Sequence, residues 1–250
     1  MSVPRVSTQQ RFTRRQRARR WGWLRQLLAV LAAAALVGAA VWLVFFSSVL
    51  AVEAVDVDGV RQLSRGEVAA AAAVPVGQPL ARVGLDGVEQ RVEQTLAEVA
   101  DAEATRTWPD TVTIAVRERT PVAVVARDDG PWLIDAEGVE FRQVHRLPAR
   151  LPVVRPGVSG ATWAGAEPVA EAAVVLAGLP RGLARRVDEV DAATVDSITL
   201  RLAGGRTVVW GSAADASRKA DVLQALLANR RLDGDVYDVS VPGAPTVAGE

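Results

Sequence analysis

The longest uncharged stretch of the chain lies close to its N-terminus. Residues 27–46 read LLAVLAAAALVGAAVWLVFF, twenty residues without one strongly polar side chain. A helix rises about 1.5 Å per residue, so this run spans roughly 30 Å, the thickness of the hydrocarbon core of a bilayer. Trp21 and Trp23 precede the run and Trp42 lies near its far end, as in the aromatic belts at lipid–water boundaries. The run predicts a transmembrane helix, which we assign to residues 26–50.

Two other interpretations of the apolar run are weaker. A cleaved signal peptide has an apolar region of about 7–15 residues, followed by a small-x-small cleavage site. The run is longer than this, and residues 47–53 contain no clear Ala-x-Ala. A buried helix of a soluble domain is also disfavoured, because such helices rarely lack polar residues for so long. We therefore expect a permanent anchor.

The charges are segregated along the chain, although the formal net charge is zero. Residues 1–25 carry eight arginines and no acidic residue, which leaves 21 basic residues against 29 acidic ones in the rest of the chain. Because basic segments beside a span stay in the cytoplasm, residues 1–25 are expected to be a cytoplasmic tail, with the acidic body outside. The arm ends at the span and offers few aromatic residues for base stacking. Contact with anionic lipid is therefore favoured over nucleic-acid binding.

Most common catalytic chemistries lack their residues in this chain. There is no cysteine, which excludes disulfides, thiolate metal sites and cysteine nucleophiles. His145 is the only histidine and stands beside Arg146 in a loop-like stretch, so an exposed or satisfied ring is expected. The only lysine, Lys219, follows no phosphate-binding glycine loop; it is interpreted as a solvated helix residue with a potential partner contact. No catalytic, cofactor or metal site is predicted, and no cofactor is expected.

The acidic residues form no coherent candidate site. Asp128, Asp129 and Glu137 lie on predicted turns, where acids are common for backbone reasons. Asp56 and Asp58 share one face of a predicted strand, which permits at most weak cation binding. A peptidoglycan hydrolase would need a coherent acid or metal site, and this sequence offers none.

The first part of the external chain, residues 52–120, has a strand–helix–helix–strand–strand pattern. Ser64 and Glu67 form a capping-box motif at the start of an alanine-rich helix. A second helix shows an apolar stripe at three- and four-residue spacing, and two alternating strands flank a Trp-Pro-Asp turn. A small sheet with two helices on one face buries these apolar residues economically. The stripe consists of Leu85, Val88, Val92, Leu96 and Val99.

The following part, residues 121–241, is richer in strands. Short strands and turns alternate, and a helix opens at Pro168 and closes at Gly178. Residues 212–215 read Ser-Ala-Ala-Asp, which predicts a second capping box and a helix to about residue 230. A last strand is predicted over residues 236–241 and a disordered tail over residues 242–250. The predicted fold class is α+β, with a mixed, mainly antiparallel β domain that has a closing helix and an edge strand.

Three short motifs give the chain a family resemblance. They are Gly77-Gln78-Pro79-Leu80, then Trp108-Pro109-Asp110-Thr111-Val112, then Arg117-Glu118-Arg119-Thr120-Pro121-Val122-Ala123. In this order, after a basic arm and one span, they resemble the POTRA domain and the β domain of the FtsQ/DivIB family, over about residues 52–240. Taken alone, the charges at 117–119 are interpreted as a solvated cross-strand pattern and not as catalytic groups. The frequent Ala and Arg fit a GC-rich genome such as that of an actinobacterium.

The resemblance implies a non-enzymatic scaffold of the bacterial division machinery, located at the septum. It implies FtsB and FtsL-like membrane proteins as partners, with septal cell-wall synthases as a further class. A sheet edge can accept another chain as an added strand, so the last strand is the expected docking site. By this resemblance the partner-binding residues would be Tyr237, Asp238, Val239, Ser240, Arg230 and Arg231.

One functional alternative remains open for this sequence. A membrane-tethered POTRA module could instead escort or assemble envelope proteins. Such proteins usually carry several POTRA units or a β-barrel, and this sequence predicts one unit and no barrel.

Overall fold

The computed structural model describes residues 9–159, 162–163, 166–229, 232 and 234–249. Contacts divide the chain into two compact units. Residues 1–92 and 102–116 form the first unit, and residues 93–101 and 117–250 form the second.

The N-terminal helix α1 spans Gln9–Phe46, so it extends well beyond the apolar run. Its segment Arg25–Phe46 has a mean hydropathy of 2.6 and no buried residue, and by length and composition it is able to cross a membrane. After the helix, the hydroxyl of Ser47 accepts a 3.1 Å hydrogen bond from the amide of Val49 and begins a short 3-10 turn. This long exposed apolar helix is consistent with a single-pass membrane protein.

Residues 54–118, most of which lie in the first unit, have the predicted order of elements. These are β1 (Ala54–Asp58), α2 (Arg65–Ala72), α3 (Leu85–Thr95), β2 (Val99–Thr107) and β3 (Thr111–Glu118). The three strands form a sheet of order β1-β3-β2, with β1 parallel to β3, and the two helices stand between β1 and β2 in the chain. A 3-10 turn, Leu80–Arg82, separates the two helices.

The start of α2 shows how local chemistry sets an element boundary. The Ser64 hydroxyl accepts the amide of Glu67 at 3.2 Å, and a Glu67 carboxylate oxygen accepts the amide of Ser64 at 2.8 Å. The Ser64 hydroxyl also donates to the Glu67 carboxylate at 2.7 Å, and this bond, together with the one from the Ser64 amide, holds the pKa of Glu67 below its ordinary value. The capping box predicted here is confirmed.

Alternating side chains of β3 form part of the core of this unit. Val112, Ile114 and Val116 are buried, whereas Ala115 and Arg117 between and after them are exposed. The predicted apolar stripe of α3 holds for Val88 and Val92, which are fully buried. Its last two members differ from the prediction: α3 ends at Thr95, so Leu96 lies beyond the helix, and Val99 begins β2.

Most strands of the second unit belong to one nine-stranded sheet. Its strands are β4 (Ala123–Arg127), β5 (Gly130–Ile134), β6 (Glu140–Gln143), β7 (Val153–Pro156), β10 (Val187–Thr194), β11 (Ser197–Leu202), β12 (Thr207–Gly211), β13 (Val236–Asp238) and β14 (Thr246–Ala248), while β8 (Val158–Ser159) and β9 (Thr162–Trp163) pair separately. The strand order is β14-β13-β12-β11-β10-β7-β4-β5-β6. Five of the neighbouring pairs are antiparallel, and the pairs β4–β7, β7–β10 and β12–β13 are parallel. The mixed, mainly antiparallel sheet is as predicted.

Three helices accompany this sheet: α4 (Ala166–Gly178), α5 (Arg181–Ala184) and α6 (Ala216–Ala228). One continuous core joins apolar side chains of the helices to those of the strands, including Trp210 and Tyr237. Burying such large aromatic side chains contributes much of the apolar area removed from water. The last strands are therefore part of the main core of the unit.

The second predicted capping box is absent. Helix α6 begins after Asp215, which has a φ of 55° and makes no capping hydrogen bond through its side chain. The preceding turn is held by other contacts instead. The carbonyl of Ser212 accepts the ammonium group of Lys219 at 2.9 Å, and the amide of Ala213 donates to a carboxylate oxygen of Glu171 at 2.8 Å. Bonds between distant parts of the chain thus replace the local cap.

Candidate functional site

The predicted docking strand lies between two other strands. On one side β13 is parallel to β12, with Val208 opposite Tyr237. On the other side β13 is antiparallel to β14, with Val247 opposite Tyr237 and Thr246 opposite Asp238. The edge strand at this end of the sheet is therefore β14, and β6 is the edge strand at the other end.

This arrangement corrects two predictions. The last strand was expected over residues 236–241, with a disordered tail over 242–250, but β13 ends at Asp238 and the tail contains β14. The physical reason is that β13 would otherwise leave a row of unpaired backbone groups, and the following segment satisfies them. We call the β12–β13–β14 region the terminal edge.

Two of the predicted contact residues point into the core. Tyr237 is 1% exposed, and its hydroxyl donates to the carbonyl of Leu232 at 3.4 Å. Val239 is 0% exposed, and its amide donates to the carbonyl of Val209 at 3.0 Å, on the β12 side. A partner at this edge would meet backbone, since these two side chains are occupied inside the unit.

The other two described contact residues end the strand. A carboxylate oxygen of Asp238 accepts both the amide of Ser240, at 2.9 Å, and its hydroxyl, at 2.6 Å. Short side chains that bond the backbone two residues on favour turns, so this pair directs the chain from β13 into the loop before β14. Arg230 and Arg231 lie outside the described residues.

Gly234 sets how closely β14 approaches β13. The amide of Asp235 donates to the carbonyl of Ala248 at 3.0 Å. A Cβ atom on Gly234 would lie 2.7 Å from the carbonyl oxygen of Ala248 and 2.7 Å from a methyl group of Val247. Those distances are shorter than ordinary van der Waals contact, so the observed position of β14 beside β13 requires a glycine at residue 234.

The first family motif ties the chain down directly after the apolar helix. The amide of Gly77 donates to the carbonyl of Val52, and the amide of Val52 donates to the carbonyl of Gln78, both at 2.9 Å. Gly77 has a φ of +86°, a conformation that suits glycine. Pro79 is bridged to Ala51, and Leu80 is fully buried. The motif is structural in the first unit.

The second motif forms the turn between β2 and β3. The Trp108–Pro109 peptide bond is cis, and the carbonyl of Asp110 accepts the amide of Glu53 at 2.9 Å. The Trp108 side chain is 51% exposed. This turn therefore also fastens the segment that leads into β1.

The third motif differs from the solvated charge pattern that was expected. Arg119 donates from its amide to the carbonyl of Glu98 at 2.8 Å and from Nε to the carbonyl of Ala97 at 3.0 Å. Its guanidinium also pairs with the carboxylate of Asp135, which is 2% exposed. Sequence reasoning missed Asp135, because nothing in its Asp-Ala-Glu-Gly turn signals burial. Glu118 and Pro121, the other motif residues here, are half-buried.

Lys219 is likewise not the solvated residue that was expected. It is 2% exposed, its ammonium group donates to the carbonyl of Ser212, and it lies 6.0 Å from the centre of the Trp210 ring. Burial lowers the pKa of Lys219, while the carboxylates of Asp215 and Glu171 act in the opposite direction. A residue so enclosed is unsuited to the partner contact that the sequence suggested.

The remaining polar candidates are surface residues. His145, Asp128, Asp129 and Glu137 are exposed, and Asp129 accepts the indole N–H of Trp132 at 3.3 Å. Within the part of the chain that the structure describes, no three His, Asp or Glu side chains are grouped so that they could hold a metal ion.

The fold defines a class of protein: an apolar helix that could span a membrane, a POTRA domain, and a mixed β domain with a self-covered edge. The model of the POTRA domain, FtsQ-type, matches residues 50–119, and that of the cell division protein FtsQ/DivIB C-terminal domain matches residues 123–240. The chain belongs to the FtsQ/DivIB family of cell division proteins.

Relatives named cell division protein FtsQ match along most of the chain. The protein of Streptomyces bingchenggensis is 40% identical over 228 residues, 89% of this chain and 86% of its own. That of Streptomyces griseus is 41% identical over 206 residues, 81% of this chain and 99% of its own. That of Mycolicibacterium smegmatis is 39% identical over 82% of this chain and 59% of its own. The expected actinobacterial affinity is confirmed.

Similarity to a solved structure is slight. The major extracytoplasmic domain of the division protein DivIB from Geobacillus stearothermophilus is 18% identical, with a TM-score of 0.30, over 36% of this chain and 76% of its own. A similarity this low supports no conclusion about the function of the chain.

Proposed function

We propose that this chain is a non-enzymatic, single-pass scaffold that links early and late division proteins at the bacterial septum. The observation that carries the proposal is the extent of the similarity. A relative named cell division protein FtsQ aligns with 89% of the chain, and the family models match both the POTRA and the C-terminal part. The role in division therefore rests on both folded parts.

The proposed topology places residues 1–25 in the cytoplasm and the two domains that follow the span, residues 52–120 and 121–241, outside. Eight arginines precede the apolar segment, and no acidic residue accompanies them. Positive charge on the cytoplasmic side of a first span is the general rule. The segment Arg25–Phe46 is long enough for one crossing.

The proposed partners are FtsB and FtsL-like proteins, which dock at the terminal edge. Support comes from the position of β13 and β14 at one end of the nine-stranded sheet. Backbone pairing suits this edge, because Tyr237 and Val239 bury their side chains. Arg230, Arg231, Asp238 and Ser240 are retained as proposed contact residues.

The division role is tested with the full chain fused to a fluorescent protein in growing cells. We expect a band at midcell, and depletion of the protein should give elongated cells without septa. An even distribution around the envelope, together with loss of outer-envelope proteins on depletion, would favour the escort function instead.

The partner assignment needs a separate measurement. The full chain and the FtsB and FtsL-like proteins of the same bacterium are reconstituted in nanodiscs, and their dissociation constant is measured. Substitution of Val239 by proline would not test docking. The amide that proline lacks already donates to the carbonyl of Val209 inside the sheet, so the substitution would disturb the sheet itself. Binding that is absent in this assay contradicts the partner assignment and leaves the midcell result standing.

A further inference from the structure

The terminal edge already holds one extended segment, which shows what kind of occupant fits there. Strand β14 returns antiparallel to β13 and pairs through three residues, Val236 with Ala248, Tyr237 with Val247, and Asp238 with Thr246. The connection between the two strands is local, and within it the amide of Ala244 donates to the carbonyl of Val241 at 3.0 Å. The chain thus supplies its own edge strand.

Few side-chain contacts keep β14 in place. Of its three residues only Val247 packs against the core, and it is partly buried. Thr246 and Ala248 are exposed. Segments with few buried apolar contacts and exposed backbone hydrogen bonds open at low free energy. By contrast, β13 carries the fully enclosed Tyr237 and is paired on both sides, so β14 is the part that can leave.

We propose that β14 is an exchangeable cover, and that an extended segment of the partner takes its place on β13. The proposal rests on the proposed docking function. The incoming segment would run antiparallel to β13, as β14 does, with a Val-sized apolar side chain at the position of Val247 and neighbours that tolerate solvent. Main-chain hydrogen bonds would supply the affinity, and the apolar side chain at the position of Val247 would supply the selectivity.

Exchange has a measurable consequence for affinity. A site that is open for only a fraction of the time binds with a dissociation constant raised by the reciprocal of that fraction. Removing the cover should therefore tighten binding, on the order of tenfold when the edge is open about a tenth of the time.

Two variants of the full-length chain remove the cover by different means. One deletes residues 242–250. The other is Gly234→Ala, whose added Cβ would meet the Ala248 carbonyl oxygen and a Val247 methyl group at 2.7 Å, both of them in β14. The matched control is Gly243→Ala, since a Cβ at that position meets nothing within 4 Å.

The experiment measures the affinity of these chains in nanodiscs for the FtsB and FtsL-like proteins of the same bacterium. We expect the deletion and Gly234→Ala to tighten binding by a similar factor and Gly243→Ala to leave it unchanged. Amide hydrogen exchange adds a second readout. On complex formation the amides of 246–248 should lose protection in the wild-type chain, while those of 236–238 remain protected.

The outcomes separate the exchange from the docking site itself. Weaker binding after deletion, with 246–248 more protected in the complex, overturns the exchange and shows that the partner adds to the outer side of β14. Unchanged affinity in both variants, with no change in exchange at 236–248, overturns the exchange and the docking site together. The division role would still be decided by midcell localisation.

Discussion

The guanidinium of Arg119 pairs with the carboxylate of Asp135, and that carboxylate is almost completely buried. Asp135 also accepts the amides of Glu137 at 3.1 Å and Val139 at 2.8 Å. The arginine in turn fastens the backbone of Ala97. Within the second unit, Arg119 therefore organises the turn after β5.

Replacing the cation of this pair should destabilise the second unit. Arg119→Met leaves a buried carboxylate without its charged donor, and a hydrogen bond to a charged group is worth about 1.5–3 kcal/mol. Hydrogen exchange in the full-length chain should show faster opening of β4 and β5. Arg117→Met, at an exposed position nearby, serves as the control and should change opening by less than about 0.5 kcal/mol. Equal destabilisation by Arg117→Met and Arg119→Met would contradict the stabilising role of the Arg119–Asp135 pair.

Two glycines with the same backbone angle should respond differently to alanine. Gly59 and Gly77 both have a φ of +86°, but a Cβ on Gly59 would lie 2.1 Å from the carbonyl oxygen of Val116, whereas one on Gly77 meets nothing within 4 Å. Gly77→Ala should cost about 1–2 kcal/mol, the usual penalty for a left-handed conformation. Gly59→Ala should cost clearly more and release β1 from β3, measured as loss of exchange protection over residues 54–58. A larger destabilisation by Gly77→Ala than by Gly59→Ala would contradict this prediction and would show that β1 can shift to accommodate the added methyl group.

The buried lysine should make stability depend on alkaline pH. Burial lowers the pKa of Lys219 below its ordinary value of 10.5, so between the two values the unfolded chain binds more protons than the folded chain. The free energy of unfolding should therefore rise with pH in that window, and Lys219→Met should lack this rise in urea denaturation. Since Lys219 is the only lysine in the sequence, a 13Cε-lysine label reports its titration directly. A titration midpoint of Lys219 at or above pH 10.5 in the folded chain contradicts the prediction.

Membrane topology can be measured without background, because the chain contains no cysteine. Cysteine is introduced at Val76, which is 69% exposed, or at Gln9, in the N-terminal part of α1. In spheroplasts, a membrane-impermeant maleimide should label the Val76→Cys chain and should label the Gln9→Cys chain only after permeabilisation. A Gln9→Cys chain that stays unlabelled after permeabilisation would indicate cleavage, as for a signal peptide.

Local patterns predicted the elements of the first unit well. The Ser64–Glu67 capping box and the alternation of Val112, Ile114 and Val116 each involve residues only two or three apart, and both occur as expected. The same capping pattern at 212–215 did not form, because Lys219 and Glu171 bond the backbone of that turn. A pattern of four residues carries no information about a partner more than forty positions away.

The sequence by itself determined the apolar helix, the order of elements and the family, since these follow from hydrophobic periodicity, capping chemistry and short motifs that act over a few residues. Only the tertiary structure decided that Asp135 and Lys219 are enclosed, and that residues 246–248 cover β13. The physical reason is that burial and strand pairing depend on which distant segments meet. An exposed strand edge accepts any extended segment that can reach it, and here the chain's own following residues do so.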